Sequence, residues 1–207
     1  MDFLHQLFSS TGLRDLITSG GMPVLCLIIF AETGLLIGFF LPGDTLLISA
    51  GLLSATGTIT ISFFMMNVLL MASGIIGNTV GYYIGKTAGK KLFERPNSKL
   101  FKREHLIRTH AFYEKNGGKT MVLARFIPIV RTFAPVVAGV AEMDYKKFFL
   151  YNVLGAILWI GIMTSAGYFI ANTFPEVEKY LPLAILVVVG SSLLLPIVHF
   201  IREKRKK

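Results

Sequence analysis

Residues 120–142 read TMVLARFIPIVRTFAPVVAGVAE, and Arg125 and Arg131 are the only charged side chains between Lys119 and Glu142. Lys119 stands at one end of the stretch and Lys146 and Lys147 just beyond the other. Lysines and arginines collect on the cytoplasmic side of membrane spans, so both ends should face the cytoplasm. One helical pass through a bilayer takes about 20 residues, and two take about 40. The stretch is therefore too short to cross twice and return. Pro128 and Pro135 each remove a backbone donor, which argues against a continuous helix. A re-entrant hairpin is predicted, broken at Pro128 and Pro135. Its irregular tip is tolerable only where protein or a watery cavity surrounds it.

The same pattern lies upstream. Glu32 and Asp44 are the only charged side chains between Asp15 and Lys86. Pro42-Gly43 falls between them, which predicts a matching hairpin over 23–58 entered from the opposite face. Other landmarks recur in order: FFMMNVL (63–69) with FFLYNVL (148–154), Gly81-Tyr82-Tyr83-Ile84-Gly85 with Gly167-Tyr168-Phe169-Ile170-Ala171, and Ala50-Gly51 with Ala138-Gly139. Two copies of one unit are read, roughly 22–86 and 120–174. Each has a hairpin followed by a transmembrane helix, at 61–85 and 146–173. The first long helix runs into a basic loop (87–119), whereas the second begins beside Lys146 and Lys147. They should cross in opposite directions, as in the inverted repeats of secondary transporters.

The charges decide what the hairpins must do. A charge at bilayer depth costs roughly 2.5–3.5 kcal/mol on insertion scales. Two acids in one copy and two bases in the other suggest mutual neutralisation in a shared polar chamber. At about 100° per residue, Arg125 and Arg131 would lie about 240° apart on an unbroken helix, and Glu32 and Asp44 about 120° apart. Breaks in the helices could bring each pair to one place.

Composition agrees with an all-α integral membrane protein treated as a single membrane domain, 1–207. The chain is 53% hydrophobic with a net charge of +9. Fifteen of its 21 Lys/Arg residues fall in 86–119 and in the tail 202–207, beside apolar runs. That distribution points to cytoplasmic loops rather than to nucleic acid. Residues 180–201 should form a further span, and 1–21 an interfacial helix with Phe3, Leu4, Leu7 and Phe8 on one face before a break at Ser-Ser-Thr-Gly (9–12). No cleavable signal is expected in 1–21, since a basic region followed by an apolar core is missing. Cys26 is the only cysteine, so no disulfide framework exists.

The runs FAETGLLIGFFLPGDTLLISAG (30–51), GNTVGYYIG (77–85), PNSKLF (96–101) and ARFIPIVRTFAPVVAG (124–139) resemble the DedA family of membrane proteins, related to the VTT-domain lipid scramblases. The resemblance covers nearly the whole chain. It implies facing re-entrant hairpins and transport of lipid-linked phosphates or phospholipids, with undecaprenyl phosphate and dependence on proton motive force suggested for some members. The family's functional acids and arginines fall on Glu32, Asp44, Arg125 and Arg131. Many relatives carry an acid where this chain has Asn78, so a proton relay through that position is not expected here.

Arg125 and Arg131 are read as phosphate ligands, because a guanidinium matches phosphate oxygens bidentately and stays charged. The alternative is a structural ion pair with Glu32 and Asp44 that locks the hairpins. The two acids are read as proton-coupling or charge-pairing groups. Asn67, Asn78 and Asn152 are possible polar lining, the two at 67 and 152 as interhelical hydrogen-bond partners. Gly74, Gly77, Gly81 and Gly85 form a small-residue face read mainly as a packing surface, and Trp159 as a packing or lipid-contact residue. Catalysis is not expected: His5, His105, His110 and His199 lie away from the arginines in sequence, and neither a metal nor a cofactor pattern is present. The expected partners are membrane lipids and protons, with a homo-oligomer possible. The expected place is the inner membrane, with the basic loop and C-terminus cytoplasmic. A phospholipid transporter or scramblase, a proton-coupled exporter of small cations and a non-transporting assembly factor are the competing functions.

Overall fold

The computed structural model describes residues 10–35, 43–93 and 119–173, with helix as the only regular structure among them. Six helices follow in order: α1 (Ser10–Gly34), α2 (Gly43–Ala55), α3 (Phe63–Phe93), α4 (Lys119–Ala124), α5 (Pro128–Val140) and α6 (Tyr145–Thr173). The predicted span 180–201, the four histidines, Pro42 and most of the basic loop lie outside the described residues.

Three boundaries differ from expectation. Ser10, Thr11 and Gly12 are helical, so the predicted break there is absent; the interruption of α1 falls instead at Gly21. Its φ of +61° is in the left-handed region that glycine alone enters without a Cβ penalty. Second, α3 runs through Lys86, Lys90 and Lys91 to Phe93 rather than stopping at Gly85. Lysine is a good helix former, so nothing in that sequence ends the ladder. Third, Pro135 lies inside α5 without breaking it. Proline removes one ladder bond, but the ring packs over Gly81, where an added methyl would stand 3.4 Å from Pro135 Cβ. The break between α4 and α5 falls at 125–127, just ahead of Pro128.

The chain forms two compact units. One comprises Met1–Val24, Pro42–Phe63 and Met163–Lys207. Within it α2 packs on the end of α6 through glycines. A Cβ at Gly51 would strike the Thr164 carbonyl, and one at Gly167 the Ile48 carbonyl. Phe63 packs on Tyr168 with ring centroids 4.7 Å apart. Beyond α2 the chain turns at Gly57 (φ +75°), with Ile59 N donating to Leu53 O at 3.1 Å.

The other unit comprises Leu25–Leu41 and Phe64–Ile162. Here α5 packs on α3 in the same manner: a Cβ at Gly139 would strike the Tyr82 carbonyl, and one at Gly85 the Val136 carbonyl. The end of α1 meets α3 where Gly34 faces the Gly77 backbone. Tyr82, Met121, Ala124, Ala134, Ala138, Ala141, Met143 and Phe148 form the core. Tyr82 stacks on Phe148 at 4.5 Å between centroids, and its hydroxyl donates to Met143 O at 2.5 Å.

The two sets of glycine contacts correspond. They lie 88 residues apart on the short helices and 82 apart on the long ones. The starts of α3 and α6, Phe63 and Tyr145, are also 82 apart. The sequence landmarks align the long helices at 85 and 86, about one helical turn out of this register.

Two of the helices, over Phe63–Ala88 (26 residues) and Tyr145–Thr173 (29 residues), are long and apolar enough to cross a membrane. Their surfaces are arranged inside out. Leu150, Leu154, Ile157, Leu158 and Ile162 are exposed along one face of α6, while Asn152, Trp159 and Thr164 are buried. Phe64 is 76% exposed on α3, yet Asn78 on that helix is 2% exposed. In water such apolar faces would be unsolvated patches. In hydrocarbon they are the solvated side, and buried polar groups must find partners within the protein.

Candidate functional site

The break between α4 and α5 positions the first arginine. Helix α4 closes with three i→i−3 bonds: Arg125 N to Val122 O (3.3 Å), Phe126 N to Leu123 O (3.1 Å) and Ile127 N to Ala124 O (3.1 Å). Ile127 is extended and caps α5 without a side-chain bond, and Pro128 opens the helix. Proline fits that position, since its missing N–H would be unpaired anyway. Arg125 thus projects from the break and Arg131 from the first turn of α5. A cation at a helix N-terminus is unfavourable with respect to the helix dipole. Arg131 therefore has particular need of an anion.

Glu32 supplies it. Arg131 Nη2 donates to Glu32 Oε1, joining α5 to α1 in a salt bridge whose side chains are 3% and 1% exposed. Beneath them lies Trp159 of α6, fully buried. The Arg131 guanidinium carbon stands 4.3 Å from the ring centroid, and that of Arg125 stands 6.0 Å from it. Two cations thus share one indole ring, whose quadrupole offsets part of their charge.

Arg125 has different neighbours. Nη2 donates to Asn152 Oδ1 at 2.5 Å. Asn78 is best satisfied with its amide nitrogen donating to Thr33 O (3.0 Å) and its oxygen accepting from Arg125 Nη2 (2.6 Å). Asn152 Nδ2 is held by Ile75 O at 3.0 Å, which aims its oxygen at the arginine. Two amide oxygens therefore converge on one guanidinium nitrogen, and among the described residues no carboxylate bonds this arginine. The stem passes over Gly155, where a Cβ would stand 2.8 Å from Arg125 Cδ. Nη1 has no hydrogen-bond partner among the described residues.

The structure thus brings Glu32 to Arg131, and Asn78 and Asn152 to Arg125. Asp44 belongs to the other unit, half-buried in the first turn of α2 just after Gly43, where a negative charge suits the helix dipole. Asn67 is buried on α3 eleven residues before Asn78, roughly 16 Å along the axis. Sequence reasoning missed the role of Trp159, reading it as packing or lipid contact. The available signal was its position seven residues after Asn152, two turns along the same buried face of α6. No group of three metal-ligating side chains occurs among the described residues.

Comparison with known proteins identifies the family. The VTT domain family model matches residues 41–169. The protein DedA of Escherichia coli (strain K12) is 47% identical over 208 residues, covering 99% of this chain and 94% of that one. The uncharacterized membrane protein ML0287 of Mycobacterium leprae (strain TN) is 43% identical over 173 residues, covering 84% and 76%. The inner membrane protein YqjA of E. coli (strain K12) is 33% identical over 188 residues, covering 87% and 84%. No solved structure matches. With apolar outward faces, a buried arginine pair and relatives of this kind, the chain belongs to the DedA/VTT-domain family of membrane proteins.

Proposed function

We propose that this protein is a non-enzymatic membrane transporter that moves a phosphate-bearing lipid, undecaprenyl phosphate above others, between the leaflets of the inner membrane. The observation that carries the reading is the pair of buried guanidinium groups over Trp159, of which Arg131 is bonded to Glu32 while Arg125 is bonded to amides. Guanidinium groups bind phosphate oxygens through directed, charge-assisted bonds. The prenyl tail can stay in the hydrocarbon, so the protein needs to accommodate only the headgroup.

Alternating access between two hairpins of an inverted repeat would carry that headgroup across. The corresponding glycine contacts of α2 with α6 and of α5 with α3 support the repeat. The helix breaks after Gly34 and Ala124 support its re-entrant hairpins. Glu32 is the proposed proton acceptor: a phosphate that takes Arg131 displaces the carboxylate, and desolvation of the released acid favours its protonation. Asp44 is proposed to serve the corresponding role in its own unit. The basic loop and tail would face the cytoplasm.

The test is leaflet transfer in reconstituted vesicles with labelled undecaprenyl phosphate, phosphatidylethanolamine and an uncharged prenol. Transfer of the prenyl phosphate that is lost in Arg125→Ala and Arg131→Ala is expected. Transfer of phosphatidylethanolamine with equal dependence on both arginines would make the protein a phospholipid transporter. Transfer of neither lipid would refute the reading.

A further inference from the structure

Four glycines stand on one face of α3, at 74, 77, 81 and 85, and close packing requires glycine at two of them, 77 and 85. A Cβ at Gly77 would meet Thr33 Oγ1 and stand 2.7 Å from Phe30 O, and one at Gly85 would strike Val136 O, whereas one at Gly81 would lie in ordinary contact with Pro135 Cβ (3.4 Å) and the backbone oxygen of Gly34 (3.5 Å). Gly74 differs. The nearest atoms to a Cβ there are Ile160 Cδ1 (3.4 Å), Ile29 Cγ2 (3.7 Å) and Arg125 Nη1 (3.8 Å), all of them side-chain atoms at ordinary contact distance. Packing does not require glycine at 74. Alanine would fit and would favour the helix. What glycine leaves there is a gap about the size of one methyl group, bounded by two isoleucines and the guanidinium.

That guanidinium is 2% exposed, and Nη1, the nitrogen beside the gap, has no hydrogen-bond partner among the described residues. Its sister Nη2 is saturated by the oxygens of Asn152 and Asn78. An ionised donor buried without an acceptor is among the costliest arrangements in a protein interior. The charge balance is similar. Glu32 balances Arg131, whereas the amides at 78 and 152 leave the charge of Arg125 uncompensated in this cluster.

We propose that Gly74 is a specificity-determining residue: its missing side chain admits one oxygen of a singly charged oxyanion headgroup to Arg125 Nη1. Asn78 and Asn152 orient the guanidinium without cancelling its charge. Arg125 then receives the headgroup first, while Arg131 is still paired with Glu32; the displacement of Glu32 from Arg131 follows as a later step. The class of ligand is a lipid phosphodiester, or a phosphomonoester that retains its second proton. This rests on the phosphate-lipid reading above and sharpens it.

The experiment uses full-length protein in detergent and the fluorescence of Trp159, the chain's one tryptophan. Farnesyl phosphate, farnesol and inorganic phosphate are titrated separately into wild type, Gly74→Ala, Gly74→Ser and Asn78→Asp, and each melting temperature is recorded. Wild type should respond to farnesyl phosphate and not to farnesol. Gly74→Ala and Gly74→Ser should bind it at least tenfold more weakly with melting temperatures at or above wild type. Asn78→Asp, which places a carboxylate on Arg125, should weaken it to a similar degree. Binding within twofold of wild type in both Gly74 variants overturns the inference and leaves the parent reading standing. So does a clear fall in their melting temperatures, since the gap would then be too small for a methyl. A wild type indifferent to every phosphate probe overturns the parent reading itself. Equal response to inorganic phosphate keeps the oxyanion at Gly74 but assigns it to free phosphate rather than to a lipid.

Discussion

Replacing Glu32 by Gln tests the central ion pair most directly. Both partners are almost wholly buried, with Glu32 1% and Arg131 3% exposed, so neither charge can be rehydrated when the other is removed. Breaking a buried pair from one side costs about 3–5 kcal/mol, because an uncompensated charge remains. Total stabilities are about 5–15 kcal/mol, so the loss is a large fraction of the whole. For a chain of this length each kcal/mol moves the melting temperature by about 2–4 °C, which predicts a fall of about 6–20 °C. The second half of the test is Arg131→Gln and the double variant. Two facing amides bury no net charge and can bond one another. The double variant should therefore lose less than the two single losses added together, with a coupling of at least about 2 kcal/mol. Thermal unfolding in one detergent, followed by tryptophan emission and by retention of a monodisperse species, measures all four proteins. A double variant whose loss equals the sum of the singles would refute the reasoning, as would Glu32→Gln melting with wild type.

Other outcomes follow from the same geometry. Gly85→Ala forces a methyl into the Val136 carbonyl and should cost about 1–3 kcal/mol in the same unfolding assay, the usual range for overpacking. Asn152→Ala removes a bond to the charged Arg125 worth about 1.5–3 kcal/mol, so transfer of prenyl phosphate should fall roughly 10- to 150-fold in vesicle assays at matched protein levels. Glu142 follows α5 at φ +52°, so Glu142→Gly should raise stability by about 1 kcal/mol; an unchanged melting temperature would show that the turn is not strained. An imposed pH gradient should accelerate lipid transfer by wild type, and Glu32→Gln should abolish that acceleration. Equal rates with and without the gradient in wild type would remove Glu32 from proton coupling.

Much of the site was readable because charge is scarce in this chain. Arg125, Arg131 and Glu32 stand out in apolar runs, and the expectation that opposite signs converge describes the Arg131–Glu32 contact. The helix break that brings both arginines over one ring was readable from Pro128, though its position at 125–127 required the cap geometry. The amides were harder. Asparagine is common on helices, and only coordinates separate Asn78 and Asn152, which hold a guanidinium, from Asn67. Pro135 misled because proline's effect depends on what its ring packs against. The glycine face carried two roles under one spacing: contact with a neighbouring backbone at 77, 81 and 85, and space beside a cation at 74.

The exposed apolar face of α6 carries a consequence for engineering. Leu150, Leu154, Ile157, Leu158 and Ile162 recur at the spacing of an ordinary amphipathic helix, but with oil as the solvent. Recoding those positions, and their counterparts Phe64, Val68 and Ile76 on α3, with Glu and Lys would supply the hydrophilic stripe an aqueous protein needs. The interior recognition chemistry would stay untouched, because none of the repainted side chains is among those that hold either guanidinium. A detergent-free version of the molecule is thus a matter of surface recolouring rather than of redesigning its centre.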